Sequence, residues 1–262
     1  MNSLSIKPSS NILLRARFVT YFLLIISIVS VLSISSSNIK AMGSEPSIGF
    51  YNTNSLPAGM NSIDPLIENY WNWWAKQSSA YSQNWPPCMM GQADNLATNQ
   101  SIVFFGDPAT AVESNVNARN QHCQISSNQA IFFPPYNGLC NTGEEPGDTP
   151  DQLLKCAIGT NKGIQLMSLK IDGKDVSNQI FHTHTSKPFI WDVPKDNIYA
   201  FPPSEPNVGR HPAMAEGYYV FIKPLPVGTH KIELEVLRNA QEPNQPIEHP
   251  IVKYTVNVVP AK

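Results

Sequence analysis

The chain has 262 residues, of which 42% are hydrophobic and 15% charged, with a formal net charge of −2 and 23 prolines. With residues 1–41 and their four basic residues set aside the balance falls to −6, which argues against nucleic acid and anionic membrane surfaces as partners. Proline stands at roughly twice ordinary usage and pairs up at Pro86-Pro87, Pro134-Pro135 and Pro202-Pro203, at the ends of apolar runs; helix bundles do not tolerate that, whereas short strands joined by structured loops do.

At the N-terminus, Lys7, Arg15 and Arg17 precede an apolar run from Phe18 to Ile34 and a polar Ser35-Ser36-Ser37-Asn38. That order is the grammar of an export signal. The run is long for a signal core and just short of the ~20 residues of a spanning helix. Two readings therefore stand: a signal over residues 1–41 removed after Ala41, or an uncleaved anchor carried by residues 18–34. Basic residues ahead of the run hold that end in the cytoplasm, so both put the remainder outside the cytoplasm. Residues 1–41 hold four of the 18 basic residues and none of the 20 acidic ones, which leaves 14 against 20 and a mature charge of −6.

Residues 42–62 read as a flexible lead, and 63–262 as a single β-sandwich-type domain that begins with a helix. Ser62 or Asp64 offers an N-cap, with Pro65 in the first turn where a missing N–H costs nothing. Ile67, Tyr70, Trp71 and Trp74 recur at helical spacing and predict an amphipathic helix over 65–79. Its bulky stripe plugs one face of a sheet. Trp73 falls off the stripe, and with Trp85 it forms the candidate exposed pair on which a sugar ring could stack.

Ser101–Phe105 and Gln129–Phe133 are continuous apolar runs ended by Gly or Pro, the pattern of strands buried on both faces. Cys123–Ile125 is expected to pair in the same structure. Four cysteines in an exported chain make two disulfides. Sequence alone allows three pairings; the favoured one joins Cys88 to Cys123, tying the approaches of successive strands, and Cys140 to Cys156, closing a short loop onto a helix. In the loop-entropy picture each contributes about 3 kcal/mol. No C-x-x-C occurs, which disfavours a cysteine metal site.

The acidic stretch Glu144–Asp151 lacks the ordered alternation of a calcium loop. Asp148 or Thr149 instead caps a helix from Pro150 to about Ile158. From Ile164 the pattern is all β: Gln165–Ile171 with an Asp172-Gly173 hairpin turn, Gln179–His184, Phe189–Val193, Tyr218–Ile222, His230–Leu237 and Val252–Val259. A long Pro-rich loop, 197–215, and a polar excursion, 239–250, interrupt it. The expected fold is mainly β, an antiparallel β-sandwich or jelly roll with one or two short helices packed on it.

A cysteine ahead of Val-Phe-Phe-Gly106, then Cys123, Ala-Ile-Phe-Phe-Pro134 and Cys140 are followed by Leu-Leu-Lys-Cys-Ala157, Ile-Asp-Gly173 and Gly217-Tyr-Tyr-Val-Phe-Ile-Lys-Pro-Leu-Pro-Val-Gly-Thr-His230. Over roughly Asn84 to Val259 this resembles a group of exported bacterial and archaeal proteins of unknown function. The resemblance implies an extracytoplasmic setting and carries no catalytic residue. The Leu-Pro-Val-Gly-Thr-His-Lys-Ile-Glu-Leu234 stretch is similar to a segment of immunoglobulin-like extracellular modules, where the turn only starts a strand.

The sharpest chemistry is His182-Thr183-His184. Residues two apart on a strand face the same way, so both imidazoles could reach one Zn or Cu ion, with His211 or His230 as a third ligand. Cupin-type jelly rolls follow such a pair with a Glu, but here Lys187 and Pro188 stand in that place. No G-x-S-x-G elbow occurs, oxidised cysteines are not nucleophiles, and Glu205, Glu216, Asp192 and Asp196 are the loose carboxylate set that any exported protein offers. No phosphate loop or dinucleotide fingerprint occurs, and no cofactor is expected beyond Zn or Cu at the histidine pair. Two functions remain. The first is a non-enzymatic sandwich that binds an extracytoplasmic partner or carbohydrate or serves in the cell envelope. The second is a metal-binding jelly-roll enzyme or metal carrier using His182 and His184. Mass spectrometry of the natively secreted protein, unreduced, is expected to show all four thiols oxidised and an N-terminus at Met42; a free thiol would contradict the disulfide reading, and a retained Met1 the cleavage.

Overall fold

The computed structural model describes residues 47–82, 85–94, 96–106, 120–143, 147–238 and 251–262. The expected export segment, residues 144–146 of the acidic loop and the 239–250 excursion lie outside the described residues. The described chain is mainly β, with two sheets packed face to face and two α-helices.

The first sheet is built around a 14-residue strand, β10 (Gly209–Ile222). On one edge it pairs antiparallel with β5 (Gln129–Asn141), beyond which lie β3 (Ser101–Phe105) and β2 (Met90–Gln92). On the other edge three short strands lie end to end: β9 (Phe189–Val193), β8 (Phe181–His184) and β1 (Phe50–Tyr51). The second sheet runs β4 (Asn120–Ser126), β12 (Ile251–Val259), β11 (Gly228–Arg238), β6 (Ile164–Ile171), β7 (Lys174–Asp175). The ladders are antiparallel as expected except for β3–β5 and β4–β12, which are parallel.

Strand alternation builds the core between the sheets. Val252, Tyr254, Val256 and Val258 of β12 and Ile232, Leu234 and Val236 of β11 meet Val103, Phe105, Ile131, Phe133, Val220 and Ile222. The opposite face of the first sheet, with Ile102, Phe104, Phe132, Tyr219 and Phe221, lies under α1 (Asp64–Ala75), which contributes Leu66, Ile67, Tyr70, Trp71 and Trp74. The sheet is thus covered on both sides, which is why 101–105 and 129–133 are apolar without alternation. Burying each such side chain is worth about 1.5–3 kcal/mol.

Three segments differ from expectation. The lead is not free: β1 pairs with Phe221 and Ile222, the Lys223 N–H donates to the Gly49 carbonyl at 2.9 Å, and Pro57 is buried. β5 does not stop at Phe133. Pro134-Pro135 cannot donate to a ladder, and the pairing jumps from Phe133↔Val220 to Tyr136↔Tyr218, so a bulge absorbs the prolines and the strand continues. The expected 197–215 loop gives way to β10 from Gly209 onward, since Ala213 and Ala215 are too small to mark a strand yet are fully buried. Elsewhere the turns follow local chemistry: Asp172 and Gly173 take φ of 51° and 78°, the two left-handed residues that join β6 to β7.

Both favoured disulfides form. Cys88–Cys123 (Cα–Cα 5.1 Å) links the approach to β2 with β4, and so one sheet with the other. Cys140–Cys156 (Cα–Cα 5.9 Å) fastens α2 (Pro150–Thr160) to β5. Thr149 caps α2 in a reciprocal box with Gln152. Among the described residues no helix is long and apolar enough to cross a membrane.

α2 can sit flat on the sheet because residue 138 has no side chain. A Cβ there would lie 1.6 Å from Thr160 Oγ1 and 2.8 Å from the Ala157 carbonyl oxygen, whereas one at Gly159 would meet nothing within 4 Å. Gly138→Ala is therefore expected to lower stability by about 1–3 kcal/mol, and Gly159→Ala to be neutral or stabilising by up to about 1 kcal/mol. Urea unfolding midpoints measure both; equal effects would contradict this docking of the helix.

Candidate functional site

The second sheet covers only part of the inner face of β10. Val220 and Ile222 face that sheet, while Met214 packs with Cys140 and Leu153 under α2. Glu216 falls on the same face between the two covers, opposite Gly138 on β5 and His184 on β8. It is 2% exposed, and it is the one acidic or basic side chain fully buried among the described residues.

A buried carboxylate must be paired or hydrogen-bonded, and two neighbours do this. Asn161, the residue that ends α2, donates from Nδ2 to the Glu216 backbone carbonyl at 2.9 Å and to its Oε2. His182 Nε2 bonds Oε1. The imidazole stacks on Tyr218 with ring centroids 4.6 Å apart. The His182 side chain is 53% exposed and the Glu216 side chain 3%, so the pair joins the protein interior to its surface. Tyr219, next along the strand, faces the other way. Burial, and then the nearby Glu216 charge, push its phenol well above the ordinary tyrosine value, so it stays neutral and packs rather than exchanging protons.

Hydrogen bonding also settles the imidazole edges. A carboxylate only accepts, so His182 Nε2 carries a proton and Nδ1 is its free nitrogen. His184 Nδ1 lies 2.9 Å from the Thr185 carbonyl and donates to it, which leaves Nε2 free. Thr185 is itself buried and takes the Ala215 N–H on its hydroxyl at 3.2 Å, which fixes the end of β8. His182, His184 and Tyr218 form a polar ledge over Glu216.

The other sequence candidates fall elsewhere. His211 sits on β10 an odd number of residues from Glu216, so the pleat turns it to the opposite face, 3.5 Å from the Val208 carbonyl. It is not brought to the histidine pair. His230 bonds Asp172 at 2.7 Å and the Pro226 carbonyl at 2.9 Å, which closes a turn. Among the described residues no three His, Cys, Asp or Glu side chains gather as a metal cluster. Trp85 is 3% exposed and packs on Trp74 at 5.6 Å, and the half-buried Trp73 contacts Tyr70, Trp74 and Phe104 while covering Gly91. The expected exposed pair is therefore part of the core under α1, because Gly91 lets the sheet close over Trp73. Asp196 accepts from the Ser79 N–H at 2.8 Å, remote in role from Glu216. A separate groove of about 690 Å³, lined by Asp172, Lys174, Asp175, Val227, Thr229 and His230, lies at the end of the second sheet.

Glu216 was visible in the sequence only as one loose carboxylate. Its signal is a lone charge inside the apolar run Ala213–Ile222, where a charge is retained only with a partner. Asn161 has no local signal.

No family model matches the chain, and no curated protein matches it. Two solved structures show a likeness over about half of it. One is a cysteine protease inhibitor from Entamoeba histolytica, at 17% identity and a TM-score of 0.21, covering 54% of this chain and 87% of the inhibitor. The other is amebosin, at 11% identity and a TM-score of 0.18, covering 53% and 89%. At these TM-scores neither likeness bears on fold or function.

Asn161→Ala leaves Glu216 Oε2 and its carbonyl buried without a donor and is expected to cost about 1–3 kcal/mol. His182→Ala opens Oε1 to water that can replace the imidazole, so its cost is expected below about 1 kcal/mol. Denaturant unfolding of the oxidised protein distinguishes them, and a reversed order would contradict this account of the carboxylate.

Proposed function

We propose that this chain is an exported, non-enzymatic β-sandwich protein that binds an extracytoplasmic partner, carbohydrate or cell-envelope component at the ledge of His182, His184 and Tyr218. The observation that carries the reading is the buried Glu216, which holds an exposed imidazole in a fixed orientation. A charge is expensive to bury, and a seam this close to the surface could be filled by an apolar side chain if packing were its only purpose. Hydrogen bonds of the Glu216–His182 pair run, among the described residues, to Asn161 and to no hydroxyl or thiol. That favours recognition over acyl transfer.

Two disulfides suit an oxidising compartment. Secretion or membrane anchoring through residues 18–34 follows from the sequence pattern at the N-terminus. The resemblance to exported proteins and to an immunoglobulin-like strand–turn–strand segment points the same way. A second reading, the metal carrier, is favoured by one specific observation: a carboxylate stands behind one of the two histidines.

Titration of ¹⁵N-labelled oxidised protein with soluble cell-envelope glycan fragments tests the first reading. Shifts are expected to concentrate at Asn161, Phe181–His184 and Gly217–Tyr219. Shifts confined to the Asp172–His230 groove would move the site to the other end of the molecule.

A further inference from the structure

We infer that the ledge is a surface site for a single divalent d-block cation, Cu(II) in preference to Zn(II), held by His182 Nδ1 and His184 Nε2 with Glu216 behind the first of them. The inference rests on the reading that this ledge is the binding site and names the ligand it takes.

Three observations converge. First, both histidines lie on β8 at positions paired with the same face of β10, His182 with Tyr218 and His184 with Glu216. Residues two apart on a strand are about 6.7 Å apart along the chain, close enough for two imidazoles to reach one ion at about 2.0–2.1 Å from each nitrogen. Second, each ring has one nitrogen committed inward and the other without a partner among the described residues: His182 through Glu216, His184 through the Thr185 carbonyl. A metal-ligating histidine requires this arrangement, because the inward N–H fixes the tautomer and ring angle while the carboxylate raises the basicity of the opposite nitrogen. Third, both side chains are exposed, and Tyr218 braces the His182 ring from the side.

No three-residue metal cluster occurs among the described residues. The ion would thus take two protein nitrogens and leave its remaining positions to water or to a donor on an incoming molecule. Two imidazoles without a thiolate suit Cu(II) ahead of Zn(II), following the general order of divalent affinities. An open coordination sphere suits capture and transfer, and binding changes neither the oxidation state of the metal nor any bond in the protein.

Glu216 and the face of β10 distinguish this site from a chance pair of histidines. His211, on the opposite face of the strand, cannot join it, and His230 is already bonded at both nitrogens. The prediction therefore separates the roles of the two shells. His184 is a ligand on an exposed edge, whose loss removes half the site without touching the core. Glu216 is a positioning residue, whose loss weakens the site without removing a ligand.

The test is titration of the disulfide-bonded full chain with CuSO₄ and ZnSO₄, followed by calorimetry and by electron paramagnetic resonance of the copper form. The expected result is one saturable Cu(II) per chain, bound more tightly than Zn(II), with hyperfine structure from two nitrogens. His184→Ala should abolish the two-nitrogen signal. Glu216→Gln should keep that signal and weaken binding by about 10–100-fold. Copper binding unchanged in His184→Ala, or no saturable copper at all, overturns the metal site. If copper fails while glycan fragments still shift Phe181–His184, the metal inference falls and the binding reading stands. If neither ligand perturbs that strand, both fall.

Discussion

β10 is enclosed from four directions: β5 on one edge, three short strands on the other, α1 over one face, and the second sheet with α2 over the opposite face. A backbone so enclosed has no water to turn to, so its N–H and C=O groups must find partners in the fold. That requirement explains why three separate segments, β1, β8 and β9, are drawn to one edge. Each satisfies a different stretch of the same strand. It also explains the bulge at Pro134-Pro135, where two residues that cannot donate lie against one of β10 rather than ending the sheet.

The same enclosure creates the site. The second sheet and α2 share the inner face of β10, and Glu216 lies where the end of α2 meets that face. An apolar residue there would fill space but gather no donor. A carboxylate instead gathers one donor from the end of α2 and one from β8, and so joins three elements at a single group. The cost of dehydrating the charge is offset by charge-assisted bonds, which are about twice as strong as neutral ones. Removing a donor on the buried side therefore hurts more than removing one on the wet side.

The disulfides act on the two ends of this arrangement. Cys140–Cys156 sets α2 on β5 close to Gly138, and Asn161 follows directly from the helix it secures. Cys88–Cys123 joins the two sheets. The first bridge thus bears on how Glu216 is held, and the second on the sandwich as a whole. In both cases most of the stabilisation falls on the unfolded chain, whose loops they close.

Local pattern was enough to read α1 from its aromatic stripe, α2 from Thr149 and Pro150, and the strands whose alternation or continuous apolarity leaves one interpretation, whereas the four cysteines left three pairings open until the packed strands brought Cys88 to Cys123 and Cys140 to Cys156. The Asp172-Gly173 turn was equally plain, since few residue pairs accept two left-handed conformations. Segments governed by distant partners stayed hidden. β1 exists only because β10 has an open edge, Trp73 is half-buried because Gly91 leaves room for it and Trp85 is buried because it packs on Trp74, and β10 extends back to Gly209 through alanines that carry no pattern. His182 and His184 were legible as a pair, since strand geometry alone turns them the same way. That His211 faces away, and that Asn161 and Glu216 stand behind the pair, depends on residues 32 to 55 positions apart meeting across the sheet. No local periodicity encodes such a meeting; it is decided when the layers pack.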